Sequence, residues 1–449
     1  MDSKHKLKLA TMIALAALGA PALTVAQTDP GVRAGAGATG GPLQGLSAGE
    51  LDFFNEGLAD FNSVEETDEG LGPRLNLDGC VSCHSQPAVG GTAPAINPQV
   101  AFATVFGQRN TVPSFVTRTG PIREARFKFN PDGTRDGGVH ALFVISGRED
   151  GSTSAAGCNI VQEDFAGQLS NNNVVFRIPT PVFGLGLIEQ IPDRAILNNL
   201  ADNGTAKALL QISGRVNRNG NDGTISRFGW KAQNQSGLLF SGEAYNVEMG
   251  ITNELFQVER DETANCQFAT VPNDVTTTDG EPSPAAAVGG HEKFAFFMRF
   301  VAGPVPSTTT PGGTASINRG RDLFNSTGCD NCHTPTLRTG NSTVQALANK
   351  SVNLFSDLAL HNMGPGLADD VLQGAARGDE FRTAPLWGLG QRVFFLHDGR
   401  ANNLVTAIAA HRSNGNQQFP ASEANRTIDR FNALNGGQRQ DVLNFLRSL

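Results

Sequence analysis

Apolar residues fall at helical spacing in only a few stretches of this chain, and most of it runs as short apolar pieces broken by Gly, Pro and Thr. Leu51, Phe54 and Leu58 recur on one helical face behind Ser47, a suitable N-cap, so organised structure is predicted to begin near Leu46. Before it, residues 27–45 have no apolar period and read as a flexible leader. Glu65, Glu66, Asp68 and Glu69 form an acidic run, read as a solvated loop. A second helix is predicted from His291 to Val301. It is flanked by two stretches dense in Thr, Pro, Gly and Ala, Val271 to Gly290 and Gly303 to Ser316, which mark a boundary. The expected domains are residues 46–302, carrying a large insertion, and residues 303–449.

The first 26 residues follow a pattern of their own. Lys4, Lys6 and Lys8 precede a mostly apolar run from Leu9 to Leu18, and Thr24-Val25-Ala26 ends in a small residue suited to signal peptidase. That run is too short to favour a membrane span. Residues 1–26 therefore read as a signal peptide cleaved near Ala26, and the expected location of the mature chain is the periplasm, without stable membrane insertion. The net charge of −8, with no block of Lys or Arg, argues against nucleic acid as a partner. With 52 Gly and 23 Pro, a long-helix or coiled-coil architecture is disfavoured as well. Among aromatic residues there are 28 Phe, two Trp and a single Tyr, so side chains that lose an electron easily are scarce.

Two internal echoes point to a diverged tandem duplication. Phe176 to Gly186 (FRIPTPVFGLG) is repeated, one residue shorter, by Phe381 to Gly390 (FRTAPLWGLG). Ala48 to Asn55 resembles Arg319 to Asn325, and each of these precedes a cysteine pair.

Four of the six cysteines lie in two copies of one motif, Cys80-Val81-Ser82-Cys83-His84 and Cys329-Asp330-Asn331-Cys332-His333. Cys-x-x-Cys-His attaches c-type haem. Two thiols about a helical turn apart add to the two vinyl groups of one porphyrin, and the following histidine falls beneath the iron as axial ligand. A shared four-cysteine zinc site does not account for the trailing histidine in both copies, and neither pair has the βαβ context of a thioredoxin-like redox site. The remaining Cys158 and Cys266 are expected to pair in an oxidising compartment, closing a loop of about a hundred residues.

Phe394 to Ala401, which contains His397-Asp398-Gly399 and precedes a helical run, resembles the HDG segment near the C-terminus of bacterial di-haem cytochrome c peroxidases and of their relative that matures methylamine dehydrogenase. Cys80 to His84, Phe176 to Ile191, Phe355 to Asp369 and Arg382 to His411 together are similar to the di-haem c-type oxidoreductases known as peroxidases or "thiol oxidoreductases". Rubber oxygenases are more distant cousins. The resemblance spans most of residues 46–449.

In those peroxidases a Met fourteen residues beyond the HDG histidine is the distal ligand of the C-terminal haem; here that position is His411. The resemblance thus implies a bis-histidine iron held by His333 and His411, with Met363 as the alternative to His411. The peroxidases also carry a removable histidine sixteen residues after the first motif, where this chain has Val100. An N-terminal iron held by His84 alone, open or water-bound, is implied, with His140 as a fallback ligand. Arg227 to Trp230 and Tyr245 to Gly250 resemble a segment that begins with a Trp between the haems and ends in an acid over the peroxidatic iron. This assigns Trp230 to electron hopping between the haems. Glu248 becomes the acid that carries a proton from one peroxide oxygen to the other. The glutamine that accompanies the acid is lost, with Leu238, Leu239 and Phe240 nearby, so a more apolar, oxygenase-like pocket is expected. Trp387 reads as packing.

The expected fold is mainly α: two cytochrome-c-like haem domains, with long loops and a few short strands in the first, and two covalently bound haem c groups. The expected function is that of a peroxidase-like oxidoreductase whose N-terminal haem activates peroxide or oxygen and whose C-terminal haem transfers electrons. A small electron-transfer protein, cytochrome c or cupredoxin, is the expected donor or acceptor. A haem-dependent oxygenase of an apolar substrate and a non-catalytic electron carrier are the alternatives.

Overall fold

In the computed structural model, residues 27–35 and 37–449 are described; the expected signal peptide, residues 1–26, lies outside the described residues. Five helices exceed ten residues among them: α1 (Ala48–Phe61), α2 (Gly237–Met249), α3 (Gly290–Phe300), α4 (Thr314–Thr327) and α5 (Gly436–Ser448). Helix α1 starts where its cap predicts. The Ser47 hydroxyl accepts from the Glu50 amide while the Glu50 carboxylate accepts from the Ser47 amide, satisfying two free donors at once. Its buried face, Phe54, Gly57 and Phe61, packs on α3, where Phe61 meets Phe297 at 4.7 Å between ring centres. In the second half α4 packs on α5 in the same way, with Phe324 against Phe445 at 5.4 Å.

Glycine lets both helix pairs close. A side-chain carbon at Gly57 would lie 2.2 Å from the Lys293 carbonyl oxygen, and one at Gly320 would lie 2.0 Å from that of Asp441. Four residues on, Phe61 and Phe324 each rest near the motif histidine of their own half, His84 and His333, at 6.0 and 6.3 Å. The structural repeat therefore aligns Gly57 with Gly320 and Phe61 with Phe324. The expected echo of Ala48 to Asn55 with Arg319 to Asn325 sits two helical turns out of register. The other echo holds in place: Gly186 approaches the Arg299 carbonyl at the end of α3, and Gly390 approaches the Arg447 carbonyl at the end of α5.

Helix covers 32% of the described residues and strand 11%, a loop-rich fold in which helices are the commonest regular element. The strands are short. β1 (Glu124–Phe127) lies between β2 (Val139–His140) and β3 (Val174–Arg177) in an antiparallel sheet, with Glu124 opposite Arg177. β4 (Leu360–Asn362) pairs with β5 (Glu380–Arg382), with His361 opposite Phe381. Buried apolar side chains form one large cluster around α1, α2 and α3 and a second around α4 and α5. Leu337, Val352, Leu354, Leu358 and Trp387 join the first cluster although they follow residue 303. No helix among the described residues is long and apolar enough to cross a membrane.

The leader expected to be flexible is instead strapped to both halves. Asp29 accepts two hydrogen bonds from the buried Arg447 guanidinium, each 2.7 Å, and a third from the Leu404 amide. The Arg33 amide donates to Gly390, Leu43 to Phe300, and the Ala302 amide to Gly41. These partners are distant in sequence, so no local pattern announces them. The acidic run is also less solvated than expected: Glu65 turns inward, and burial, helped by Glu69, pushes its carboxyl up to about 7.

Cys158 and Cys266 form the expected disulfide, 108 residues apart in sequence. A loop of that length is worth about 4–5 kcal/mol through the restricted unfolded chain. The double variant Cys158→Ala, Cys266→Ala is expected to lose about that much stability in chemical denaturation.

Candidate functional site

The two motif segments form the walls of two large cavities. Residues Cys80–Cys83 make a single helical turn, and the His84 amide closes it onto the carbonyls of Cys80 and Val81. The His84 ring places Nδ1 3.0 Å from the Gly91 carbonyl, which fixes the tautomer and leaves the Nε2 lone pair free. His333 repeats the device with Nδ1 3.1 Å from the Phe355 carbonyl. Burial lowers the proton affinity of both rings, His333 to about 4 with His411 adding to the effect, so both are neutral donors at physiological pH. All four motif thiols are free, and burial pushes each upward, Cys329 to about 11. Neutral thiols are poor thiolate redox centres.

The first cavity, about 170 Å³, is lined by Cys80, Cys83 and His84, and by Glu124, Arg126, Arg177 and Glu248. His84 is the only histidine among its lining residues; Met249 and Met298 line it as well, each packed into the apolar core. His140, the fallback ligand, lies elsewhere, with its ring nitrogens facing Asp136 and Glu163 and its ring stacked on Phe127. The second cavity, about 220 Å³, is lined by Cys329, Cys332 and four histidines. Of these, His361 has both nitrogens engaged, by Asp357 and Glu423 at 2.9 Å each, and His397 stacks on Phe381. His411 faces His333 across the cavity, with Nδ1 2.8 Å from the Ala407 carbonyl and 6.5 Å between ring centres. Two imidazoles on opposite sides of one iron, each with a bond of about 2 Å and about 1.2 Å from nitrogen to ring centre, stand about 6.4 Å apart. Met363 lines the same cavity.

Trp230 is the one described residue that lines both cavities. Its indole N–H donates to the Ile178 carbonyl at 2.9 Å, its carbonyl accepts from the Arg382 amide, and its ring meets His397 edge-on at 6.4 Å. Trp387 packs in the core as expected, against Gly184 and Gly303.

The first cavity is mostly apolar, as expected, but through Phe61, Ile122, Phe240, Met249, Phe294 and Met298; Leu238 and Leu239 do not line it. Charge enters on one side from the inserted sheet. On β1 the side chains of Glu124 and Arg126 share one face, and Arg177 projects from the partner strand β3. Glu124 forms an ion pair with Arg126 and a hydrogen bond with Glu248, whose Oε2 accepts from Asn76 Nδ2 at 2.7 Å. Burial and the neighbouring Glu124 charge push Glu248 well above the usual carboxylate range. Burial also opposes the charge on Glu124, but Arg126, the bond from Glu248 and Arg177 hold it below that range. Sequence reading missed Glu124, Arg126, Arg177 and Asn76. The one signal was the alternation of charged residues in a short strand-like piece, Glu124-Ala125-Arg126-Phe127.

Residues 133–449 match the family described as "Di-haem oxidoreductase, putative peroxidase". The chain belongs to the di-haem oxidoreductase family. The match begins after the first motif, so Cys80 to His84 rests on its own spacing and on the repeat. No curated protein matches this sequence. Among solved structures, a MauG-like protein associated with microbial copper homeostasis is similar at 18% identity, over 60% of this chain and 88% of that one, with a TM-score of 0.27. Hydrazine synthase of Kuenenia stuttgartiensis is similar at 16% identity over 37% of this chain, with a TM-score of 0.24; the match spans 56% of the hydrazine synthase chain.

The residues of this di-haem oxidoreductase fit the cofactor of its family. Each cavity is walled by one Cys-x-x-Cys-His motif and is otherwise lined mostly by apolar side chains, the surroundings a porphyrin takes. Arg382 and Arg392 are buried on the wall of the second cavity, bonded to the carbonyls of Gly229 and Pro385, and neither forms a salt bridge among the described residues. Burial lowers both guanidiniums to about 10. An unpaired buried cation is costly, and a group that carries carboxylates removes that cost.

Proposed function

We propose that this di-haem oxidoreductase is an exported, periplasmic peroxidase-type enzyme that reduces peroxide with electrons from a small cytochrome c or cupredoxin. The carrying observation is the asymmetry of the two cavities, one histidine in the first and a facing histidine pair in the second, with Trp230 in the wall of both. Cys80 and Cys83 would bind the first haem and Cys329 and Cys332 the second, each through thioethers. His84 would be the sole protein ligand of the first iron, and His333 and His411 the pair on the second. When bound, an iron with an open position can take up peroxide, and one with two protein ligands passes electrons.

The chain's own residues do the rest. Gly91 and Phe355 orient the proximal imidazoles through their carbonyls. Arg382 and Arg392 would hold carboxylates of the second haem. Glu248, its carboxyl pushed well above the usual carboxylate range and held by Asn76, presents a proton in the first cavity, and Trp230 offers the indole step between the two sites. The charged wall of Glu124, Arg126 and Arg177 supports peroxide over an apolar substrate.

Carbon monoxide titration of the reduced holoprotein tests this. One carbon monoxide per chain is expected in the wild type and two after His411→Ala, which opens the second iron. The low-spin bis-histidine signal in electron paramagnetic resonance is expected to vanish in the same variant. No carbon monoxide binding by the wild type would leave a pure electron carrier.

A further inference from the structure

The peroxidase reading gives Glu248 a proton but leaves open what keeps it there and what replaces it. Glu124, on the inserted sheet and 124 residues away in sequence, lines the same cavity and is hydrogen-bonded to it. Two carboxylates in hydrogen-bond contact cannot both be ionised without strong repulsion, so such a pair holds one proton between them. The surrounding groups fix which member carries it. From β1, Arg126 pairs with Glu124, and from β3 Arg177 adds a second positive charge beside it. Asn76 donates to Glu248 and bears no charge. Around the pair stand also Glu243 on the same helix as Glu248, Arg260 on the loop beyond it, Asp78, the thiols of Cys80 and Cys83, and His84, Arg123 and Tyr245 on the cavity wall, while Arg177 is itself paired with Asp369. The cationic side chains gather on Glu124, which leaves Glu248 as the protonated member.

We propose that Glu124 and Glu248 act as a one-proton carboxylate pair, in which ionised Glu124 keeps Glu248 protonated at neutral pH so that Glu248 is the acid for peroxide cleavage. This rests on the peroxidase reading above. Peroxide takes two electrons and two protons to give two waters; the electrons come from the reduced small electron-transfer protein. The O–H bond of Glu248 breaks, its proton bonds to the departing oxygen as the O–O bond breaks, and the carboxyl becomes a carboxylate. The second proton, and the one that restores Glu248, come from solvent. Arg126, Arg177 and Arg260 offset the doubly ionised state that stands between these events.

The sign of the consequence is fixed. Removing the Glu124 charge lets Glu248 release its proton at lower pH, so Glu124→Gln moves the alkaline limb of the pH profile towards acid. The holoprotein is assayed for peroxide turnover with a reduced small cytochrome c from pH 5 to 9. Glu124→Gln is expected to run near the wild-type rate at pH 5 and at least about tenfold slower at pH 8, the effect of one pKa unit or more. Glu124→Asp, which keeps the charge and leaves Arg126 paired, is expected to keep the wild-type limb. Infrared spectra of the resting holoprotein separate this inference from the reading beneath it, because they need no turnover. A protonated carboxyl band is expected to persist above neutral pH in the wild type, to disappear in Glu248→Gln and to titrate at lower pH in Glu124→Gln. An unshifted band and an unshifted limb in Glu124→Gln overturn the pair. A wild type that shows the band without consuming peroxide overturns the peroxidase reading and leaves the pair standing.

Discussion

Peroxide turnover is expected to fall by about 10²- to 10⁴-fold in Glu248→Gln holoprotein, the range over which a positioned general acid contributes. The substitution keeps the shape of the side chain and its bond from Asn76 Nδ2, and it removes the proton that the carboxyl carries in its protonated form. Haem content, the carbon monoxide stoichiometry of the reduced protein and the potential of the second haem are expected to stay as in the wild type, because Glu248 lines only the first cavity. A loss of rate shared with loss of haem would mark Glu248 as structural. An unchanged rate would move the acid to another group in the cavity, with Glu243 the next carboxyl on the same helix.

The second large effect is on folding. With Cys329 and Cys332 both changed to Ser, the second haem would lose its proposed covalent hold on a cavity of about 220 Å³ around which α4, α5 and the helix before His411 are arranged. Leaving that volume void would cost about 5 kcal/mol at about 24 cal/mol per Å³, against a typical domain stability of about 5–15 kcal/mol. The second half is therefore expected to lose much of its stability. Limited proteolysis should degrade it beyond about residue 310, and the strap at Asp29, which depends on Arg447 and Leu404, should be released with it. The matching change of Cys80 and Cys83 should damage the first half. A double Ser variant of the second motif that resists protease like the wild type would show that the helices stand without their haem.

What the chain disclosed in advance follows from how local each feature is. The two Cys-x-x-Cys-His motifs and the Phe-Arg to Gly-Leu-Gly echo are contiguous, so their residues were readable, and the glycines of that echo lie at equivalent helix ends. The helical echo was misaligned because the fixed points of the repeat are the crossing glycines, Gly57 and Gly320, and a helix with 3.6 residues per turn offers a false match two turns away. His411 was reached only through a family register; by pattern alone it is one polar residue after a short helix. The charged wall was out of reach, since Glu124 meets Glu248 through sheet pairing and an inserted segment. Leu238 and Leu239 were placed in the apolar pocket because sequence proximity to Glu248 was the only guide, whereas the first turn of α2 directs them away from the cavity and other apolar residues line it. The leader was misread for the same reason, its partners lying near the other end of the chain.

The scarcity of oxidisable aromatics also gains meaning. The lone Tyr245 lines the first cavity, where its hydroxyl bonds to Glu65, and Trp230 lines both cavities. On the proposed function, so few electron-rich side chains beside the two cavities would limit where an oxidising equivalent can go.

The account stands on two covalent haems per chain, and a pyridine haemochrome assay combined with intact mass of the purified protein measures that number directly. Two haems, both retained under denaturing conditions, are predicted; one haem, none, or haem that dissociates on denaturation would contradict it.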